Sequence, residues 1–150
     1  MNGRGTQLYF PGLAGFYAST ADLGYLVVRV VIGIILFVHG FGKFKTGVAG
    51  IAAYMAKNGL EPGMAFAVAA MFLETVGAAC VAIGLFTRFF AAALAIEMLI
   101  AFLVIHSPKG FAVGGGGYEY VLLIGFVLFS IALRGGGRYS VDQMMIGKEL

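Results

Sequence analysis

Six ionisable side chains stand inside or at the edge of long apolar runs in this chain: Arg29, His39, Glu74, Glu97, His106 and Glu119. Charges placed within a membrane span are costly and usually face the bundle interior or water. Arg29, Glu74 and Glu97 fall deepest. Arg29 lies roughly 9 Å into its run at 1.5 Å per residue. The two glutamates fall near the middle of theirs. One guanidinium can fork to carboxylates, so Arg29 is expected to pair with Glu74, Glu97 or both. One Arg against two Glu leaves a surplus carboxyl, free to be protonated or hydrogen-bonded elsewhere. A buried ionic staple that only fixes helix register is the plainer reading of the three.

The second group gathers by depth. His39 closes the first apolar run, His106 closes the third and Glu119 opens the fourth. Lys43, Tyr54, Lys109, Tyr118 and Tyr120 are near them in sequence. Imidazole and carboxylate together can hydrogen-bond a quinone carbonyl and exchange its protons. His39, Lys43, His106, Tyr118 and Glu119 are therefore candidates to line a quinone or small-molecule pocket. Two His and a carboxylate could instead hold a metal, and two His could hold haem iron. No HExxH, ExxH or CxxCH spacing supports either, so no metal site and no intrinsic cofactor is expected. The same groups could also be interfacial residues served by water and lipid headgroups.

These residues need helices to position them. The chain has 150 residues, 61% hydrophobic and only 11% charged, with a mean hydropathy of +0.97. Soluble domains run near 45–50% apolar and about 25% charged. A chain this short cannot bury so much apolar surface in one small core. The expected class is all-α, an integral membrane four-helix bundle. Spans are expected at Leu23–Phe41, Met64–Phe86, Phe89–His106 and Tyr118–Leu133. Between the first two, Ile51, Tyr54 and Met55 recur near helical spacing. That predicts a short amphipathic helix on the membrane surface, stopped near Asn58, Gly59 and Pro62.

Arg29, Gly33, Leu36 and Gly40 share one helical face, and the two glycines would let another helix approach it. The run Gly114–Gly117 is a loop, not a phosphate-binding turn, because no Gly-Lys-Ser/Thr ending follows. Ser140 could cap a short helix beginning SVDQMM. Residues 1–21 read as a partly ordered extension, residues 22–143 as the transmembrane domain and residues 144–150 as a tail.

Net charge is +3 without a basic cluster, so nucleic acid is not an expected partner. Cys80 is the only cysteine, which excludes an intrachain disulfide or a CxxC pair. Four spans would put both termini on one side. That side carries five Lys or Arg against four on the other, which leans toward cytoplasmic termini.

The ordered string of motifs is recognisable. It runs Arg29, Gly33, Phe37-x-His39-Gly40-x-x-Lys43-Phe44, then Gly59-Leu60-x-Pro62 and Glu74-x-x-Gly77. Gly84-Leu85-x-Thr87-Arg88, His106, Gly116-Gly117-Tyr118-Glu119-Tyr120 and Gly135-x-Gly137-x-x-Ser140-x-Asp142 follow. This set, over about residues 22–143, resembles the DoxX family of small four-helix membrane proteins. The resemblance implies a multi-pass protein of a bacterial or archaeal cell membrane. It also implies association with redox systems, since the family is linked to thiosulfate:quinone oxidoreductase and terminal quinol oxidase subunits.

Arg29, His39, Lys43, Glu74, His106 and Glu119 match family positions. The expected role is a quinone-interacting or accessory component of a respiratory or oxidoreductase complex. The chain carries no redox motif of its own, so electrons would come from a partner. The expected partners are membrane lipids and a larger membrane complex or further copies of the chain. The alternatives are a non-catalytic subunit docking in such a complex, or a small-solute or proton carrier.

Overall fold

A computed structural model of the protein describes residues 8–147. Four long helical segments account for most of it. Helix α1 spans Ala14–Lys57. Helix α2 spans Gly63–Ile83, α3 spans Thr87–Lys109 and α4 spans Glu119–Arg134. No strand occurs among the described residues.

Three of these helices are long and apolar enough to cross a membrane: α1, extended at its start by a turn from Pro11, α2 and α3. The fourth, α4, has 16 residues, or about 24 Å of helix. Large apolar side chains stand exposed along all four, including Val31, Phe72, Ile96 and Phe126. On a water-soluble protein such a surface would be anomalous. In hydrocarbon it is the favourable face.

Helix α1 begins earlier and runs further than the apolar run alone indicated. It absorbs much of the expected N-terminal extension, whose first seven residues lie outside the described ones. It also absorbs the segment expected as a separate surface helix. The division survives as a break at Gly47, whose φ of 77° and ψ of 154° are not helical. Beyond the break, Ala52 and Met55 are buried, and Gly63 at the start of α2 lies against Ala52 and Ala56. This second limb therefore folds back onto α2.

It stops at Asn58 and Gly59, as the turn residues indicated. Leu60 N–H donates to Met55 O at 3.0 Å and Gly59 N–H to Ala56 O at 2.9 Å, with Gly59 at φ 83°. That is a Schellman closure, which needs a left-handed residue at this point. The end of α2 repeats it: Leu85 N–H donates to Cys80 O, with Gly84 at φ 80°.

The glycines on the Arg29 face set the spacing of α1 and α2. A Cβ on Gly33 would meet Ala78 O and Ala82 at 2.7–2.8 Å, and one on Gly40 would meet Glu74 backbone at 2.6 Å. The obstacle is backbone, which cannot swing aside. Gly40→Ala is therefore expected to destabilise by about 3 kcal/mol, the upper part of the usual overpacking range. Thermal unfolding in detergent reads this directly. An unchanged midpoint would contradict the close approach.

One apolar cluster, including Leu36, Ala78, Leu94 and Leu128, joins all four helices. A smaller one, Met55, Ala70 and Ile105, lies toward the Gly47 end.

Candidate functional site

Between the two apolar clusters lies a cavity of about 560 Å³. Leu36 and Ile124 from the larger cluster and Met55 and Ala70 from the smaller one line it. Its polar lining comes from every helix. α1 supplies His39, Lys43 and Tyr54, α2 supplies Glu74, α3 supplies Glu97 and His106, and α4 supplies Tyr120. Ile96 lines it too and is 59% exposed, so the chamber reaches the lipid-facing surface between helices.

Two local features aim these side chains. Glu74 sits in a π turn, Leu73–Gly77, and His106 ends another, Ala101–His106. Such turns insert one extra residue and rotate the following face, and they recur at functional sites.

Lys43 Nζ pairs with Glu74 Oε1 at 2.5 Å, with the glutamate side chain only 4% exposed. Glu97 lies beside both Glu74 and Lys43. The Oε2 atoms of Glu74 and Glu97 are buried without a hydrogen-bond partner. The two carboxyls are within hydrogen-bond reach of each other, so a proton held between them serves one side of the pair, and the remaining acceptor positions are open to another molecule's polar group.

A loop roofs the chamber. His106 Nδ1 is 2.7 Å from Gly116 O, and Gly116 and Gly117 line the cavity. The close backbone approach expected of the glycine run occurs at Gly117, where a Cβ would collide with the carbonyls of Gly110, Phe111 and Ala112.

Glu119 and Tyr118 are placed differently from the sequence expectation. Glu119 Oε1 accepts from Val113 N–H at 2.8 Å, and its own N–H donates to Phe111 O. The Tyr118 ring packs edge-on against Phe102 and Phe111. Neither lines the chamber. Both hold the roof loop, because the first turn of α4 leaves free N–H groups and the loop offers carbonyls.

Arg29 is the larger correction. It pairs with neither Glu74 nor Glu97. Its Nη1 donates to Val81 O at 2.9 Å and its Nη2 to Tyr139 O at 2.6 Å. Side-chain direction on α1 turns it toward the end of the bundle where α4 finishes. There Asp142 accepts from Phe86 N–H at 2.8 Å and from Thr87 N–H and Oγ1–H at 3.1 Å. These bonds satisfy the first turn of α3, whose orphan donors favour a carboxylate.

Ser140 caps the following turn, with Gln143 N–H on its Oγ at 3.2 Å. Ser140 and Asp142 are each 1% exposed, so this turn is tucked into the bundle. Tyr25 OH donates to Gly135 O. Arg88 donates to the carbonyls of Ala132, Leu133 and Arg134 at the end of α4. Asp22 lies 3.9–4.0 Å from Arg134 and Arg138, so the start of α1 and the end of α4 share one end of the bundle.

Comparison with known proteins agrees with the residue pattern. The family model described as DoxX matches residues 24–107. A Bacillus subtilis protein named "Putative oxidoreductase CatD" is 32% identical over 124 residues, covering 83% of this chain and 88% of the relative. The Escherichia coli protein named "Inner membrane protein YqjF" is also 32% identical over 124 residues, covering 83% and 93%. No solved structure matches the chain.

Proposed function

The chain belongs to the DoxX family of membrane proteins, and on that premise we propose that its chamber binds the headgroup of a lipid-soluble quinone in the service of a membrane oxidoreductase. The observation that carries this reading is the cavity itself. Its volume of about 560 Å³ falls within the 300–1,000 Å³ of ordinary ligand sites. Its walls are mostly apolar, and its polar groups converge on Lys43, Glu74 and Glu97.

The residues fit such a group. The exposed Ile96 offers lateral entry from lipid, where a quinone resides. Lys43 and the buried carboxyls of Glu74 and Glu97 supply the polar end against which the headgroup oxygens sit. His39 and Tyr120 can turn to donate or accept. When bound, the quinone supplies two-electron redox chemistry. The chain holds and orients it, excludes water and keeps exchangeable protons within reach. Electrons come from a partner oxidoreductase subunit, a role consistent with the name of the Bacillus relative.

In this reading all four helices cross the membrane, with α4 the shortest, and the limb after Gly47 packs at the membrane edge. Both termini face the cytoplasm, since their side carries five Lys or Arg against four on the other. A bacterial inner membrane matches the name of the Escherichia coli relative.

The test is photolabelling of the purified protein in lipid nanodiscs with an azido-benzoquinone. Labelled peptides should contain Tyr54, His106 or Tyr120, and excess unlabelled quinone should suppress labelling. Ala93 lines the chamber, and Ala93→Phe, which fills that wall, should lower labelling more than tenfold. Labelling indifferent to both competitor and Ala93→Phe would overturn the proposal.

A further inference from the structure

We infer that the chamber discriminates between the two redox states of its ligand and prefers the hydroxyl-bearing hydroquinone over the quinone. This rests on the quinone-chamber reading above and adds the hydrogen-bonding sense of the site.

The unserved buried atoms of the chamber are acceptors. Glu74 is 3% exposed, its Oε1 is taken by Lys43, and its Oε2 has no partner. Glu97 Oε2 is likewise buried and unpartnered. An ionised carboxylate only accepts. The two carboxyls lie within hydrogen-bond reach of each other, and a single proton held between them still leaves the pair with more acceptor positions than donors.

His106 points the same way. Its Nδ1 faces the carbonyl oxygen of Gly116 at 2.7 Å, and a carbonyl cannot donate. Nδ1 must therefore carry the hydrogen, and in a neutral imidazole Nε2 is then an acceptor. Lys43 keeps spare N–H donors, but its side chain is 17% exposed against 4% for Glu74, so burial weighs more heavily on the acceptors. Water serves the two buried oxygens poorly.

A hydroquinone brings two O–H donors to these acceptors. The quinone brings two carbonyls, which leave them unserved and set lone pair against lone pair. Leaving a buried acceptor unpaired costs enough to make the preference about tenfold or more.

The experiment compares three ligands of nearly one shape under anaerobic conditions: a short-chain benzoquinone, its hydroquinone, and the bis-methyl ether of that hydroquinone. Each is titrated calorimetrically into the full chain in nanodiscs. The hydroquinone should bind about tenfold or more tightly than the quinone and the ether. In Glu74→Gln/Glu97→Gln the preference should collapse toward unity while quinone affinity is retained or improved, because amide N–H groups now donate.

Equal or tighter binding of the quinone would overturn this inference and leave the chamber reading standing. Equal binding of the ether and the hydroquinone would also overturn it. Binding of none of the three would overturn both readings. Thermal unfolding of the double variant checks its fold, and the wild-type comparison of the three ligands decides the matter if that variant does not fold.

Discussion

Asp142→Ala is expected to destabilise the protein by about 3 kcal/mol and to free the segment after Gly135. One carboxylate here serves three donors, Phe86 N–H, Thr87 N–H and Thr87 Oγ1–H, at a site 1% exposed. Hydrogen bonds to a charged acceptor contribute about 1.5–3 kcal/mol each at most. The three share one side chain, so their loss is not a simple multiple.

Two further consequences compound it. Phe86 holds a left-handed backbone, φ 46°, which a non-glycine residue keeps only when its surroundings over-determine it. Arg29 also loses its neighbouring countercharge, and its Nε already lacks a partner. Breaking one member of a buried charged group is strongly destabilising. Asp142→Asn keeps one acceptor oxygen and should fall between the wild type and Asp142→Ala.

Thermal unfolding in detergent gives the magnitude. Limited trypsin digestion gives the location: cleavage at Arg138 should accelerate in Asp142→Ala, while the loop at Lys109 is unaffected. Digestion unchanged at Arg138 would contradict the clasp.

The contrast between Asp142 and Arg29 shows what a linear reading can reach. Helix content, span positions and the stop at Gly59 follow from hydropathy and local turn chemistry. Those are properties of neighbouring residues, so they are visible in the string. The close approach at Gly33 and Gly40 was legible for the same reason, because i, i+7 spacing fixes a face.

Partner choice was not. Arg29, Glu74 and Glu97 all read as mid-span, yet the guanidinium projects toward one end of α1. The segment that meets it, from Gly135 to Asp142, folds back from about 110 residues away. Periodicity carries no information about such a return. The two groups read from sequence are therefore re-sorted. His39, Lys43, Glu74, Glu97 and His106 line one chamber, Arg29 joins the terminal clasp, and Glu119 and Tyr118 hold the loop. The π turns at Glu74 and His106 have no sequence signature, and they change which face each residue presents.

Lys43→Met is expected to cost more stability than Glu74→Leu, although the two residues form one ion pair. The asymmetry comes from Glu97. Removing Glu74 leaves the Lys43 ammonium beside a second carboxyl, so the cation keeps a partner. Removing Lys43 leaves two carboxyls against each other in a cavity with mostly apolar walls and no cation between them. Truncating one partner of a buried pair typically costs about 3–5 kcal/mol. Lys43→Met should fall at that level in detergent unfolding, and Glu74→Leu at about half of it.

The double variant Lys43→Met/Glu74→Leu should recover most of the Lys43→Met loss, because replacing both partners by apolar groups removes the unpaired charge. Equal costs for the single variants, or simple additivity in the double, would mean that Glu97 does not share the site electrostatically. Ligand binding should separate from stability in this series. The double variant is expected to be folded and yet to bind quinone and hydroquinone at least tenfold more weakly, since it retains the chamber's volume and loses the polar end that orients a headgroup. Stability thus depends on the balance of charge among three side chains, whereas binding depends on their presence.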